Sequence, residues 1–304
     1  MATPFFSEPA LSGIYAAIWT PTDAEGVPIE SALKLHLQLL QGSGVVGVLA
    51  LGSTGNFARM KVAARKQTLE TIIKHRGTLK VLANISDLRT DAILALGQHA
   101  RDSGALGVSI MPPWFYPSVD QDLSEFFVRL GERLQQPIIL YNFPELTGKR
   151  LTPSVIDGVA SRVPVAGLKQ SGDMFERHVE VIDCARSHGF PVLTGWDSRV
   201  GEALQLGATG CIGGLTNIVP ELLVAVDRAY RAGDVSIAAE ASRRLLELGQ
   251  VCSALPFPIN MAAGMEARGL EIGVIKADYS KSTEVAYHQL VHRMRELFTQ
   301  WNLI

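Results

Sequence analysis

Lys169 lies near the end of a short apolar run, residues 163–169 (VPVAGLK), directly before the polar stretch 170–173 (QSGD). A strand buried on both faces is a continuous hydrophobic run, and lysine is rarely buried, so packing explains this residue poorly. Burial disfavours a charged ammonium, and a neutral amine is the nucleophile that forms a Schiff base with a carbonyl. The alternative is a lysine that reaches past the strand end to water.

Other polar residues follow apolar runs in the same way. Because a hydroxyl or amide at a strand end most often caps the next helix, none of them is specific alone. Their shared position after strands is more informative than any single one. These strand-end residues are Thr20, Ser53, Thr54, Tyr141, Asn142, Asp197 and Asn217.

The elements that must position these residues alternate along the chain. Eight apolar, β-branched runs cover residues 13–21, 45–53, 79–86, 105–113, 137–144, 165–171, 191–197 and 208–217. Segments with helical apolar spacing separate them, for example residues 29–42, 61–77, 90–104 and 174–189. Strands that alternate with helices are typical of parallel βαβ units, and eight units predict a (β/α)₈ TIM barrel. The reaction site of such a barrel lies at the C-terminal ends of its strands.

Residues from about 219 onward show only helical patterns. We therefore expect an α/β fold with two parts, a barrel over residues 1–230 and a C-terminal helical extension over residues 231–304, packed on the barrel.

Composition excludes several classes of protein. The 304 residues carry a net charge of −2 and no basic block, so nucleic acid and anionic membranes are not expected partners. The first 13 residues lack the features of a signal peptide, and no stretch is as apolar as a membrane helix. Three widely spaced cysteines fit a reduced cytoplasmic protein, and the histidines form no metal-binding pattern. We expect a cytoplasmic protein with no metal and no cofactor.

Five motifs extend this picture: WTP at 19–21, GSTG at 52–55, YNFPELTG at 141–148, GLKQSGD at 167–173 and GCIGGLTNIVP at 210–220. With them, the chain resembles the dihydrodipicolinate synthase / N-acetylneuraminate lyase family of class I, Schiff-base-forming aldolases. The resemblance runs through almost the whole chain. Its most specific part is the pair of Tyr141 in Y-N-x-P and Lys169 in G-x-K.

The resemblance implies a role for each matching residue. Lys169 would form an imine with the C2 carbonyl of pyruvate or another 2-oxo acid, and Tyr141 would shuttle protons, with Ser53 as the next group in the relay. The Gly52–Thr54 motif would hold the keto-acid carboxylate through hydroxyls and backbone N–H groups. Ile212 matches the position whose backbone carbonyl faces the lysine. A protonated imine is an electron sink, so the implied reaction needs no metal.

Departures from the family pattern concern the second substrate. Dihydrodipicolinate synthases carry an arginine for the aldehyde's carboxylate where this chain has Leu146, and the motif's glutamate is Asn56 here. Trp114 occupies the expected place of a tyrosine donated across a dimer contact, so the relay could be shortened, pass through Tyr116, or use water. Interface packing is the alternative for Trp114.

We therefore expect a Schiff-base lyase, an aldolase or dehydratase of a 2-keto-3-deoxy sugar acid or related 4-hydroxy-2-oxo acid. The alternatives are 4-hydroxy-tetrahydrodipicolinate synthase and a keto-acid-binding homologue without turnover. Gly213 and Gly214 favour close approach of substrate to backbone over a phosphate site. The resemblance also implies a homotetramer built as a dimer of dimers.

Overall fold

The computed structural model describes residues 11–172 and 175–304. Its strands form a closed parallel barrel in chain order, with β1 pairing with both β2 and β8. The strands are β1 Gly13–Ala17, β2 Gly47–Ala50, β3 Lys80–Asn84, β4 Gly107–Ile110, β5 Ile138–Asn142, β6 Val165–Gln170, β7 Val192–Thr194 and β8 Gly210–Gly213. Each lies inside one of the eight predicted runs, so the predicted barrel is confirmed. The N-terminal residues 1–10 and Asp173 of the GLKQSGD motif lie outside the described residues.

Helices connect the strands and continue after the last one. They are α1 Glu30–Gly42, α2 Val62–His75, α3 Thr90–Asp102, α4 Asp120–Leu134, α5 Pro144–Thr147, α6 Pro153–Ala160, α7 His178–Ser187, α8 Val200–Gln205, α9 Pro220–Ala232, α10 Val235–Cys252, α11 Ile259–Ala267 and α12 Lys281–Gln300. The helical character predicted beyond residue 219 is confirmed. The division of the chain at residue 230 stays a prediction.

The strands are continuous apolar runs because both of their faces are covered. Every residue of β1, β2, β4, β5, β7 and β8 is buried, between the barrel interior and the outer helices. Glycine is required where strands approach closely at the closure of the barrel. A Cβ on Gly210 of β8 would overlap the backbone nitrogen and carbonyl oxygen of Gly13 in β1.

The C-terminal helices are tied to the barrel by hydrogen bonds of long sequence separation. The segment 270–276, which we call the strap, crosses the loop after β1. The Trp19 indole N–H donates to the Ile272 carbonyl at 2.9 Å, and the Val274 N–H donates to the Thr22 carbonyl at 2.8 Å. Arg268 pairs with Glu221 of α9 at 2.7 Å. These contacts bring the ends of α10 and α11 over the rim of the barrel.

The lengths of the helices and the state of the cysteines bear on the class of protein that the sequence predicted. No helix among them is long and apolar enough to cross a membrane. Cys184, Cys211 and Cys252 are all free. Cys211 is fully buried in β8, whereas Cys184, on α7, is only partly buried.

Gly210→Ala tests the closure of the barrel. The added methyl group must displace the backbone of β1, so we expect the free energy of unfolding to fall by about 3 kcal/mol. Gly42→Ala is the matched control, since a Cβ there has nothing within 4 Å and the position is the exposed end of α1. Denaturant unfolding measures both variants. Equal stability of Gly210→Ala and wild type would contradict the predicted closure.

Candidate active site

Lys169 and Tyr141 lie side by side on neighbouring strands. They are register partners of β6 and β5, and both are buried. The Lys169 Nζ lies 3.8 Å from the centroid of the Tyr141 ring and donates a hydrogen bond to the Ser171 Oγ at 2.9 Å. The π face of the ring and one hydroxyl oxygen are therefore the groups that hold this amine. No carboxylate pairs with it among the described residues, so the amine is left available to a ligand.

Ser53 connects the tyrosine to a second strand end. The Ser53 Oγ lies 3.1 Å from the Tyr141 hydroxyl, a hydrogen bond in which either atom can donate. Ser53 and Thr54 are both buried in the turn after β2. The chain enters this turn at Leu51, which adopts a left-handed backbone conformation. Lys169, Tyr141 and Ser53 thus lie in one row, in which a hydrogen bond joins the two hydroxyl groups and the amine contacts the face of the tyrosine ring.

A cavity of about 270 Å³, here called the main cavity, opens beside this row. Thr54, Tyr141 and Lys169 line it from the barrel. Asp197 and Gly214, which the sequence also singled out, line it as well. The sequence predicted no site role for the other large or polar residues of its wall, which include Phe143, Ser171, Trp196, Cys252, Phe257 and Met261. The last three come from the C-terminal helices and the loop between them. Their only sequence signal was a helical pattern, which does not show where those helices dock.

Asp197 contributes a carboxylate to the main cavity. It accepts a hydrogen bond from the Leu215 N–H. Burial raises the pKa of Asp197 from 3.8 to about 6, against the opposing effects of that hydrogen bond and of the Lys169 charge. A Cβ on Gly213 would overlap the same carboxylate. The close approach of the Asp197 carboxylate therefore explains why residue 213 is a glycine.

Gly214 is crowded for a different reason. A Cβ there would lie 3.1 Å from the Met261 Sδ and 3.3 Å from the Thr54 Oγ1. The glycine pair at the end of β8 thus makes room for side chains of the site itself. The expectation that it allows substrate to approach the backbone stays a prediction.

The three departures from the family pattern meet in one place. Asn56, Trp114 and Leu146 line a second cavity of about 280 Å³ together with Ser53, and we call it the side cavity. Asn56 has a positive φ of 58°, which asparagine tolerates better than most residues. The Trp114 ring packs edge-on against Phe57 at 5.8 Å. Phe257 lines both cavities and therefore lies between them.

Tyr116 is far more open than Trp114. Its side chain is 72% exposed and contacts the ring of Phe115 edge-on at 4.9 Å. It lines neither the main cavity nor the side cavity. Within a single chain the structure therefore does not bring Tyr116 to the Tyr141–Ser53 pair.

Two asparagines at strand ends have structural partners. Asn142 donates to the Gln170 Oε1 at 2.8 Å and accepts from the Leu151 N–H at 3.0 Å. Asn217 accepts from the Trp19 N–H at 3.0 Å and donates to the Ala17 carbonyl at 2.8 Å. Both side chains fix loops to neighbouring strands, so neither is free to bind a ligand.

The remaining predicted residues are near the site but not in the wall of the main cavity. Ile212 is buried in β8, where it pairs with Tyr15 of β1. Gly52 and Thr20 are buried in the segments that follow β2 and β1. Across residues 11–172 and 175–304, no group of three or more His, Cys, Asp or Glu side chains is placed to hold a metal ion.

Comparisons with known proteins agree with the sequence motifs. A family model described as Dihydrodipicolinate synthetase family matches residues 10–296. The Escherichia coli protein named Probable 2-dehydro-3-deoxy-D-pentonate aldolase YjhH is 30% identical over 268 residues, 86% of this chain and 88% of the relative. The 4-hydroxy-tetrahydrodipicolinate synthase of Methanothrix thermoacetophila is 26% identical over 94% of this chain and 97% of the relative.

A solved structure shows the same fold over most of the chain. The crystal structure of YagE, a prophage protein of the dihydrodipicolinic acid synthase family from Escherichia coli, was determined in complex with pyruvate. It superposes with a TM-score of 0.88 at 28% identity and covers 94% of this chain and 98% of its own.

Asp197→Asn tests the electrostatics of the main cavity. Because burial raises the pKa of Asp197, the folded state loses stability as the pH rises from about 4 to above about 6 and the carboxyl ionises. Asparagine keeps an oxygen for the Leu215 N–H but cannot ionise. Relative to wild type, the variant should therefore gain stability over that interval, by at most about 3 kcal/mol.

Thermal unfolding at several pH values measures this gain, with the exposed Asp278→Asn as the control. A stability difference between Asp197→Asn and wild type that stays constant from pH 4 to pH 7 would show that the Asp197 carboxyl is not perturbed.

Proposed function

We propose that this chain, which belongs to the dihydrodipicolinate synthetase family, is an aldolase that cleaves a 2-keto-3-deoxy sugar acid into pyruvate and an aldehyde. Membership of the family makes the chain an enzyme, a Schiff-base lyase. The observation that carries the proposal is the buried Lys169 amine, which faces the main cavity beside a tyrosine hydroxyl relay. YjhH is named an aldolase, and YagE was crystallised with pyruvate, which supports this choice of reaction.

The first step would join Lys169 to the substrate. Its Nζ attacks the C2 carbonyl carbon, and the resulting carbinolamine loses its hydroxyl group with a proton as water. The product is a protonated imine, which withdraws electrons from C3. The Lys169 amine has one hydroxyl acceptor and an aromatic face but no carboxylate partner among the described residues, and it lines the main cavity where the carbonyl would lie.

Tyr141 would handle the protons of the second step. Its hydroxyl gives its proton to the departing carbinolamine hydroxyl, and the resulting phenolate takes the proton of the C4 hydroxyl as the C3–C4 bond breaks. The bonding electrons move through C2 to the imine nitrogen. The aldehyde leaves and an enamine remains. Protonation of C3 and hydrolysis of the imine then release pyruvate and the free lysine. The Ser53 Oγ, at 3.1 Å from the Tyr141 hydroxyl, is placed to exchange protons with it.

The walls of the main cavity favour a hydroxylated second part of the substrate. Asp197 and Ser198 offer hydroxyl-binding oxygens, and Trp196 and Phe257 offer aromatic faces. With a pKa of about 6, Asp197 is mostly ionised at neutral pH, which would repel an anionic aldehyde. Thr54 remains for the carboxylate of the 2-oxo acid, in the motif that the resemblance assigns to it.

4-Hydroxy-tetrahydrodipicolinate synthase is the second candidate, because relatives of that name match nearly the whole chain. Leu146 lines the side cavity where that activity would need an arginine. Arg59 lines this cavity too, but one of its N–H groups donates to the Lys276 carbonyl, which holds the guanidinium against the strap. A keto-acid-binding protein without turnover is the third candidate, and the Tyr141–Ser53 relay argues against it.

We also propose that the chain is cytoplasmic and assembles as a homotetramer, a dimer of dimers. Phe115 and Tyr116 are 79% and 72% exposed and form a rigid aromatic projection next to Trp114. Aromatic residues of this kind are enriched at protein interfaces. Covering this projection with a second copy would remove a large apolar surface from water.

A substrate panel tests the choice of reaction. Wild type should release pyruvate from 2-keto-3-deoxy hexonates or pentonates, measured by coupling to lactate dehydrogenase. It should condense pyruvate with aspartate semialdehyde far more slowly. Leu146→Arg places a cation at the side cavity and should raise kcat/KM for the anionic aldehyde by about tenfold, the effect of one charge-assisted hydrogen bond.

Leu35→Arg adds the same charge at an exposed site on α1 and should leave both reactions unchanged. Faster condensation with aspartate semialdehyde than sugar-acid cleavage by wild type would instead identify a 4-hydroxy-tetrahydrodipicolinate synthase.

A further inference from the structure

A third cavity, of about 450 Å³, lies beneath the strap at the rim of the barrel. The loop after β1, the turn before α2 and the strap itself form its walls. Its charged lining consists of Arg59, Lys61 and Lys276, against Asp23 and Glu25. We call it the strap cavity. None of the residues assigned to imine chemistry contributes to it.

The Lys276 ammonium is the unusual group of the strap cavity. Its Nζ is closed to solvent and has no hydrogen-bond partner among the residues that the structure describes. Burial lowers the pKa of Lys276, and the charge of Asp23 opposes this effect. A buried ammonium with no acceptor is costly, so such a group in a folded protein calls for an oxygen ligand.

The two carboxylates of the cavity are poorly placed to supply that ligand. The Asp23 Oδ1 accepts a hydrogen bond from the Val27 N–H at 2.8 Å, within the turn that follows β1. Glu25 is exposed at the tip of the same turn. Neither forms an ion pair or hydrogen bond with Lys276 in the described structure. The cationic groups therefore outnumber the acidic ones, and the most buried of them is unpaired.

Arg59 adds a planar donor on the other side of the cavity. One of its N–H groups donates to the Lys276 carbonyl, which holds the guanidinium against the strap. The guanidinium keeps further N–H donors, and these suit the tetrahedral oxygens of a phosphate group. Arg59 also lines the side cavity beside Ser53, so the two cavities share one cation.

We propose that the strap cavity binds a phosphate-type oxyanion, either inorganic phosphate or the phosphoryl group of a small metabolite. The Lys276 ammonium and the Arg59 guanidinium are its principal donors, and Lys61 adds a third positive charge. The Lys276 Nζ is closed to solvent, so binding requires its side chain to turn toward the anion, which then supplies the acceptor that the ammonium lacks. This site is separate from the imine site, so its existence does not depend on the reaction that the enzyme catalyses.

Calorimetric titration of the full chain with inorganic phosphate, at ionic strength held constant with chloride, tests the proposal. Wild type should bind saturably and should show a rise in melting temperature that follows phosphate occupancy. Lys276→Met should weaken phosphate binding by about tenfold or more, since it removes a charged donor. Lys34→Met removes one charge from an exposed site on α1 and should bind like wild type.

Arg59→Gln provides an independent variant if Lys276→Met does not fold, and it should weaken binding to a similar extent. Titration with glycerol 3-phosphate separates the two sources of the anion. Tighter binding than inorganic phosphate indicates a phosphorylated metabolite, and equal binding indicates the free anion. Absence of saturable phosphate binding by wild type, or equal affinity of Lys276→Met and Lys34→Met, would overturn the proposal.

Discussion

The contact between the Lys169 amine and the Tyr141 ring is the interaction on which the candidate site depends. An amine buried in an apolar barrel is stable only if its surroundings offer electron density, and the ring at 3.8 Å and the Ser171 hydroxyl provide it. This arrangement requires β5 and β6 to pair with Tyr141 opposite Lys169. A shift of register by one residue would turn one of the two side chains to the other face of the sheet.

A buried network holds the other end of the proton relay in place. Asn84 donates to the Leu51 carbonyl at 2.7 Å, just before the turn that carries Ser53. Arg65 of α2 is almost fully buried and donates to the carbonyls of Asn84 and Ser86. Because these hydrogen bonds lie away from water, the turn has little freedom to move Ser53 away from Tyr141. The barrel thus fixes the relay at both ends.

Local sequence patterns predicted most of the fold, because buried parallel strands are continuous apolar runs that need no knowledge of their partners. The same patterns placed Lys169 and Tyr141 at strand ends. They could not reveal that Phe257 and Met261 close the main cavity, since that depends on long-range contacts such as Trp19 with Ile272. Nor could they show that Asn56, Trp114 and Leu146, far apart in the chain, share one cavity. The raised pKa of Asp197 likewise arises from tertiary burial and not from its neighbours in sequence.

The most direct test of this account is reduction of the protein with borohydride in the presence of pyruvate, followed by peptide mapping. An imine at the buried amine predicts one reduced pyruvate per chain, located on Lys169, and none in Lys169→Met. Lys149 is a second buried lysine in the loop after α5 and serves as an internal comparison. No adduct on wild type, or an adduct on Lys149 that persists in Lys169→Met, would contradict the assignment of Lys169 as the nucleophile.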